Sequence, residues 1–206
     1  IQRARVPAKA FKADVVTKKN IIDAIERLFA VPIRTGRMTL TGHAGQYDVR
    51  QRVIRTKRPY DIIVAAHELG HHLEKGLGLN PLNYIELEEL GRRIYPRSGP
   101  GKQRKEGFAE FVALYIIDPA EAQRQVPGFF QTFTETLDVV PEIREALHEV
   151  QRLYQRYLSQ DPVERVKAAI TNDIPKERPF LTTAERYWTL WADQAYPIWK
   201  LQKLAL

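Results

Sequence analysis

The sequence predicts an α+β fold that is mostly helical, with a small antiparallel sheet ahead of one histidine-rich helix and a helical extension at the C-terminus. Three observations carry this reading. Apolar residues recur at helical spacing in separate stretches, such as Ile21, Ile22, Ile25, Leu28 and Phe29, and again Ile143, Leu147, Val150, Leu153, Tyr154 and Leu158. Residues 37–56 alternate apolar and polar instead, the period of half-buried strands. Three of the five histidines crowd into positions 67–72, inside a stretch that is again helical in pattern.

The elements follow in chain order. Residues 1–16 read as a basic extended arm, and residues 17–160 as the main domain. Thr17 is placed to cap the first helix through its hydroxyl. Residues 37–56 read as two or three short antiparallel strands, with Gly42 and Gly45 as turn glycines. One sheet edge is available to an extended peptide by strand addition. The histidine helix carries Ile62, Ile63, Ala65, Ala66, Leu69 and Leu73, with Pro59 expected in its first turn and Gly76 and Gly78 at its end. A helix near 81–94 and a helix from Glu106 toward Pro119 come next, joined by a Pro/Gly/Ser-bearing basic segment read as a mobile loop. Residues 141–158 are expected to be helical. Residues 161–206 form an aromatic helical extension, where Thr182 or Thr183 caps a helix and Tyr187, Trp188, Trp191, Tyr196 and Trp199 supply a packing surface.

Composition bounds the function. The 206 residues are 44% hydrophobic, enough to bury one good core. No run of 18 apolar residues occurs, so no membrane span is expected, and no signal segment opens the chain. The absence of cysteine rules out disulfides and fits a cytoplasmic location. The first residue is Ile, so the chain is expected to be a fragment, a processed product or a domain of a larger polypeptide. Positive charge is uneven: residues 1–60 hold 14 Lys/Arg against 4 Asp/Glu, a local net of +10 in a chain of net +7. A second basic run contains Arg92, Arg93, Arg97, Lys102, Arg104 and Lys105 with no acid among them. These segments suit weak contact with nucleic acid or an acidic partner, although a solvated basic surface explains them as well.

The chemistry is concentrated in His67-Glu68-Leu69-Gly70-His71, an HExxH motif. Residues four apart share a helix face, so His67 and His71 can reach one ion, while Glu68 points off that line toward a metal-bound water. Neutral imidazole suits Zn²⁺, and the carboxylate can take a proton from the water. The motif therefore predicts a zinc metallopeptidase in which Glu68 is the general base. His72 faces about 100° away from its ligand neighbour and is expected to pack or cap.

A catalytic zinc usually has three protein ligands. Cysteine is absent, and no third histidine follows at the short HExxHxxGxxH spacing, so a carboxylate on a later helix is required. Glu106 and Glu110 lie four apart beside Ala109 and Ala113, whose small size permits close helix approach. A ligand histidine also needs a carboxylate on its other ring nitrogen. Glu106 as ligand with Glu110 as that support is the economical division, and the reverse stays open. For the donor that would stabilise an oxyanion, His148, Tyr154 and Tyr157 are the candidates.

These stretches together resemble the ImmA/IrrE family of gluzincin-type metallopeptidases. In that family HELGH precedes a helix of the form E-x-x-A-x-x-(F)-A-x-x-L-L-x-P. Here Glu106, Ala109, Ala113, Ile116, Ile117 and Pro119 stand in register, Val112 replaces the aromatic, and Glu110 stands where Asn or Asp is frequent. Gly45-Gln46-Tyr47 and Arg52-Val53-Ile54 resemble the family's strands before the metal helix. The resemblance covers about residues 20–120. It implies a zincin-like core, zinc held by His67, His71 and Glu106, Glu68 as base, and a protein or peptide substrate. Members of that family include phage and mobile-element proteins that cleave repressors. Residues 192–200 resemble segments of the large polyvalent proteins of phages and mobile elements. Two alternatives remain beside the zinc metalloendopeptidase: a metal-binding regulatory or DNA-associated protein with little proteolysis, and a structural domain of a larger phage protein.

Overall fold

The computed structural model describes residues 15–36 and 43–173. Among them are eight α-helices and a three-stranded sheet, an α+β architecture dominated by helix. The chain divides into two units after Ala169, and the sheet and all helices that end before that residue belong to the first.

Helix α1 (Lys18–Phe29) starts where expected. The Thr17 hydroxyl accepts from the Asn20 N–H at 3.2 Å, and the Asn20 side chain accepts from the Thr17 N–H at 2.9 Å, a reciprocal cap. Its Ile21, Ile22, Ile25 and Phe29 are buried. Just before it, Val16 is buried, and its backbone is held on both sides by the Gln160 amide, at 2.6 and 2.8 Å.

The sheet corrects the expectation of a purely antiparallel one. Strands β1 (Ile33–Thr35), β2 (Gly45–Asp48) and β3 (Val53–Thr56) lie in the order β1-β3-β2; β2 runs antiparallel to β3, and β1 runs parallel to it. Alternation reports a half-buried strand but not its direction, and β1 begins ahead of the alternating stretch. Gly45 is the first residue of β2 rather than a turn residue, and Gly42 lies outside the described residues.

Helix α2 (Ile62–Gly76) carries the HExxH motif. Asp61 caps it by accepting from the Val64 N–H, so Pro59 lies ahead of the helix and not in its first turn. A 3-10 turn at Pro81–Asn83 leads to α3 (Glu86–Ile94), and α4 (Pro100–Ile117) follows after a short loop. The basic segment is therefore mostly helix. Arg92 and Arg93 end α3, while Lys102, Arg104 and Lys105 ride the first two turns of α4, which Pro100 opens at a position where no backbone donor is needed.

Helix α4 is the centre of the core. A Cβ on Gly70 of α2 would meet the Ala109 Cα at 2.5 Å, so the glycine of HELGH is what lets α4 come this close. Behind α4 are two helices for which the sequence reading has no counterpart, α5 (Pro119–Gln125) and α6 (Pro127–Val139). Phe129 and Phe133 of α6 meet Phe108 and Phe111 of α4 edge to face, with Phe111–Phe129 centroids 4.8 Å apart. Each such ring stabilises by about 1.5–3 kcal/mol through burial alone. Helix α7 (Pro141–Ser159) adds Ala146, Leu147 and Val150 to the core. Its Gln151 and Gln155 donate to the Tyr115 and Ile117 carbonyls, satisfying acceptors at the C-terminus of α4. Helix α8 (Pro162–Asp173) begins the C-terminal extension; the Thr182/Thr183 cap and the aromatic residues beyond fall outside the described residues. No helix among the described residues is long and apolar enough to cross a membrane.

Candidate metal centre

Helices α2 and α4 bring three side chains to one point. Glu106 Oε2 lies 3.4 Å from His67 Nε2 and 3.4 Å from His71 Nε2, and one donor atom from each residue falls within 4.8 Å of the others. Atoms bound about 2.0–2.1 Å from one tetrahedral ion stand about 3.3–3.4 Å apart. Charge-assisted hydrogen bonds would be closer, near 2.7–2.9 Å. The two glutamate–histidine separations therefore suit ligands of a shared cation better than short hydrogen bonds. The group is compatible with a metal ion, and its nitrogen-and-carboxylate donor set suits zinc.

Glu110, one turn beyond Glu106, does not join this group. Its Oε2 lies 3.2 Å from Nδ1 of His67, the nitrogen turned away from Glu106. Glu68 is buried, at 7% exposure, beside the trio and outside it. It packs against the start of β2: a Cβ on Gly45 would stand 2.6 Å from Glu68 Oε1 and 2.4 Å from Val64 Cγ1. Only glycine lets the strand pass over the carboxylate.

The electrostatics follow from this crowding. Burial by itself would lower the His67 imidazole, but the Glu106 and Glu110 carboxylates beside its two nitrogens outweigh it and raise the pKa to about 9. Burial pushes the Glu106 carboxyl up, and the His67 and His71 imidazoles beside it more than reverse this, holding it at about 2. Glu68 is raised, chiefly by burial, against the opposing pull of His71 and His67. A carboxylate shifted in that direction is a better proton acceptor than an ordinary one.

The trio and Glu68 form the floor of an open cleft of about 490 Å³. Gly45, Gln46 and Tyr47 of β2, a sheet-edge strand, make one wall. Tyr95, at the end of α3, and His43 make part of the other, with the Tyr95 hydroxyl 3.3 Å from His43 Nδ1. The Tyr95 hydroxyl is raised by burial first and then by the charges of Glu106 and Glu68. Neither Tyr95 nor His43 figures in the sequence reading. Their one signal was chemical type: His43 is a histidine outside the motif, and Tyr95 immediately precedes the Pro/Gly segment ahead of Glu106.

The three oxyanion candidates lie elsewhere. His148 lines a separate cleft with Pro119, Gln151 and Arg152, and Tyr154 and Tyr157 line another with Tyr60 and Asp61. The physical reason is that α7 packs behind α4 and not across the front of the cleft. His72 packs, as expected of its helix angle: its Nδ1 shares a 2.9 Å hydrogen bond with the Tyr47 hydroxyl, and burial lowers its pKa. Compared with protein-family models, curated proteins and solved structures, the chain matches none.

Proposed function

We propose that the chain is a zinc-dependent metalloendopeptidase. The observation that carries this reading is the 3.4 Å separation of Glu106 Oε2 from both His67 Nε2 and His71 Nε2, with Glu68 buried beside them and outside the trio. The likeness of HELGH and the Glu106 helix to the ImmA/IrrE family supports it.

Zinc bound there would supply Lewis acidity, lowering the pKa of a water molecule and polarising a peptide carbonyl. The chain's own residues do the rest. His67 and His71 would hold the ion through their Nε2 atoms, and Glu106 through a carboxylate oxygen. Glu110 holds His67 in the tautomer that leaves Nε2 free to bind. Glu68 takes the proton from the attacking water and delivers it to the leaving amine. An extended peptide lies along β2, an edge strand among the described residues that walls the cleft, where backbone hydrogen bonds align it over the trio. Tyr95 takes over the role first sought in α7: its hydroxyl shares the cleft and is the donor assigned to the developing oxyanion.

The test is metal analysis of the purified protein together with digestion of an unbiased peptide library. About one zinc per chain and zinc-dependent cleavage are expected. A metal-loaded protein that cleaves no peptide in the library or its cellular partner would return the reading to the regulatory alternative.

A further inference from the structure

Three lysines stand on the rim of the cleft, each close in sequence to a residue of the trio. Lys75 follows His71 by one turn of α2, Lys102 precedes Glu106 by one turn of α4, and Lys105 adjoins Glu106. All three are exposed and line the same cavity as the trio. Neighbouring arginines are committed elsewhere: Arg92 pairs with Glu88 and Glu89, Arg104 pairs with Glu88, and Arg93 donates to Gln125. The three lysines have no ion pair among the described residues.

One of them is held in place. The Lys102 ammonium stands 4.0 Å from the centroid of the Tyr95 ring, and the Tyr95 hydroxyl is in turn bonded to His43. The first turn of α4 contains no acidic residue, so nothing there offsets the positive end of the helix. Beyond Glu68 and Glu106, which belong to the metal centre, Glu74 is the one carboxylate in the cleft lining. The rim is thus net positive, and it surrounds a floor that holds Glu68 and Glu106.

We infer that the cleft selects peptides bearing Asp or Glu side chains near the scissile bond, which Lys75, Lys102 and Lys105 engage. This rests on the peptidase reading. Peptide is favoured over nucleic acid because the charges converge on one cavity beside β2, an edge strand among the described residues, which suits an extended backbone carrying a few carboxylates; nucleic acid calls for a stripe that tracks phosphates.

The experiment compares matched peptides that differ only in Asp/Glu against Asn/Gln, using zinc-loaded protein. Exposed pairs are individually weak, so the three together should give an acidic-over-neutral ratio in kcat/KM of about tenfold at low salt, shrinking as salt rises. In the triple variant Lys75→Gln/Lys102→Gln/Lys105→Gln the ratio should collapse toward one, and in Lys102→Glu it should shift toward Lys-bearing peptides. A wild-type ratio near one, or a triple variant that keeps the wild-type ratio, overturns the inference. Fluorescence anisotropy with the same peptides on zinc-loaded Glu68→Gln protein needs no turnover and separates the two claims. Lysine-dependent acidic preference in binding with no hydrolysis by wild type sinks the peptidase reading and keeps the lysine rim as a binder of acidic peptides without a scissile bond. Tighter, lysine-dependent binding of a thymidine decamer than of the acidic peptide assigns the rim to nucleic acid and overturns it.

Discussion

Glu110 Oε2 lies 3.2 Å from Nδ1 of His67, on the opposite side of the imidazole from Glu106. The two glutamates of one helix face thus hold the two nitrogens of one ring. Their losses should differ in kind. With zinc bound as proposed, Glu106→Gln would remove a metal bond, whereas Glu110→Gln would only loosen the ring, which typically costs about 10–100-fold in affinity. Competition titration with a zinc chelator should show the Glu106 variant as the weaker binder by a clear margin. The opposite order would make Glu110 the ligand.

Protonation gives a second expectation. In the metal-free protein, His67 titrates near 9 against an ordinary 6.5, so its contribution to stability is complete below pH 6.5 and is lost as pH rises through about 9. Glu106 titrates near 2 against an ordinary 4.5, so its contribution is present above pH 4.5 and is lost as pH falls through about 2. Urea unfolding of the metal-free protein should therefore show stability falling between pH 6.5 and 9. Zinc-loaded protein should not show that fall, because zinc replaces the proton. Metal binding at pH 7 should release a proton, measurable by calorimetry in buffers of different ionisation enthalpy.

Gly70→Ala tests the helix contact that builds the centre. The added Cβ would stand 2.5 Å from the Ala109 Cα, backbone that cannot swing aside. Overpacking of this kind costs about 1–3 kcal/mol. The urea midpoint should drop, and zinc affinity should drop with it because α4 carries Glu106.

Tyr95→Phe keeps the ring beneath Lys102 and removes only the hydroxyl. Loss of an oxyanion donor is typically worth about a hundredfold or more in kcat. Steady-state kinetics should show that loss mainly in kcat with KM little changed. Unaltered kcat would remove Tyr95 from the reaction.

Much of this molecule is legible in the sequence wherever local chemistry decides. Thr17 before an apolar period specifies its own cap, and the i,i+4 spacing of His67 and His71 specifies a shared face. The spacing of Glu106 and Glu110 does not separate them, because a helix turns both toward one neighbour; only their distances to the two nitrogens of His67 tell them apart. What was not legible depends on tertiary partners. The parallel pairing of β1 with β3 has no local signature. The helices α5 and α6 escaped because Pro119 and Pro127, which open them, read equally well as breakers. The basic segment reads as a loop from its Pro and Gly, yet Pro100 opens α4. The cleft wall of Tyr95 and His43 joins residues 52 positions apart, a distance that periodicity cannot span.

The most direct measurement is zinc content and peptide hydrolysis in Glu68→Gln beside wild type. Because Glu68 is buried next to the trio but belongs to none of its short separations, the variant should keep about one zinc per chain and its fold. Its hydrolysis should fall by roughly 10²–10⁴, the usual worth of a positioned base. A Glu68→Gln protein that cleaves peptides as fast as wild type would contradict the account, and so would one that has lost its zinc.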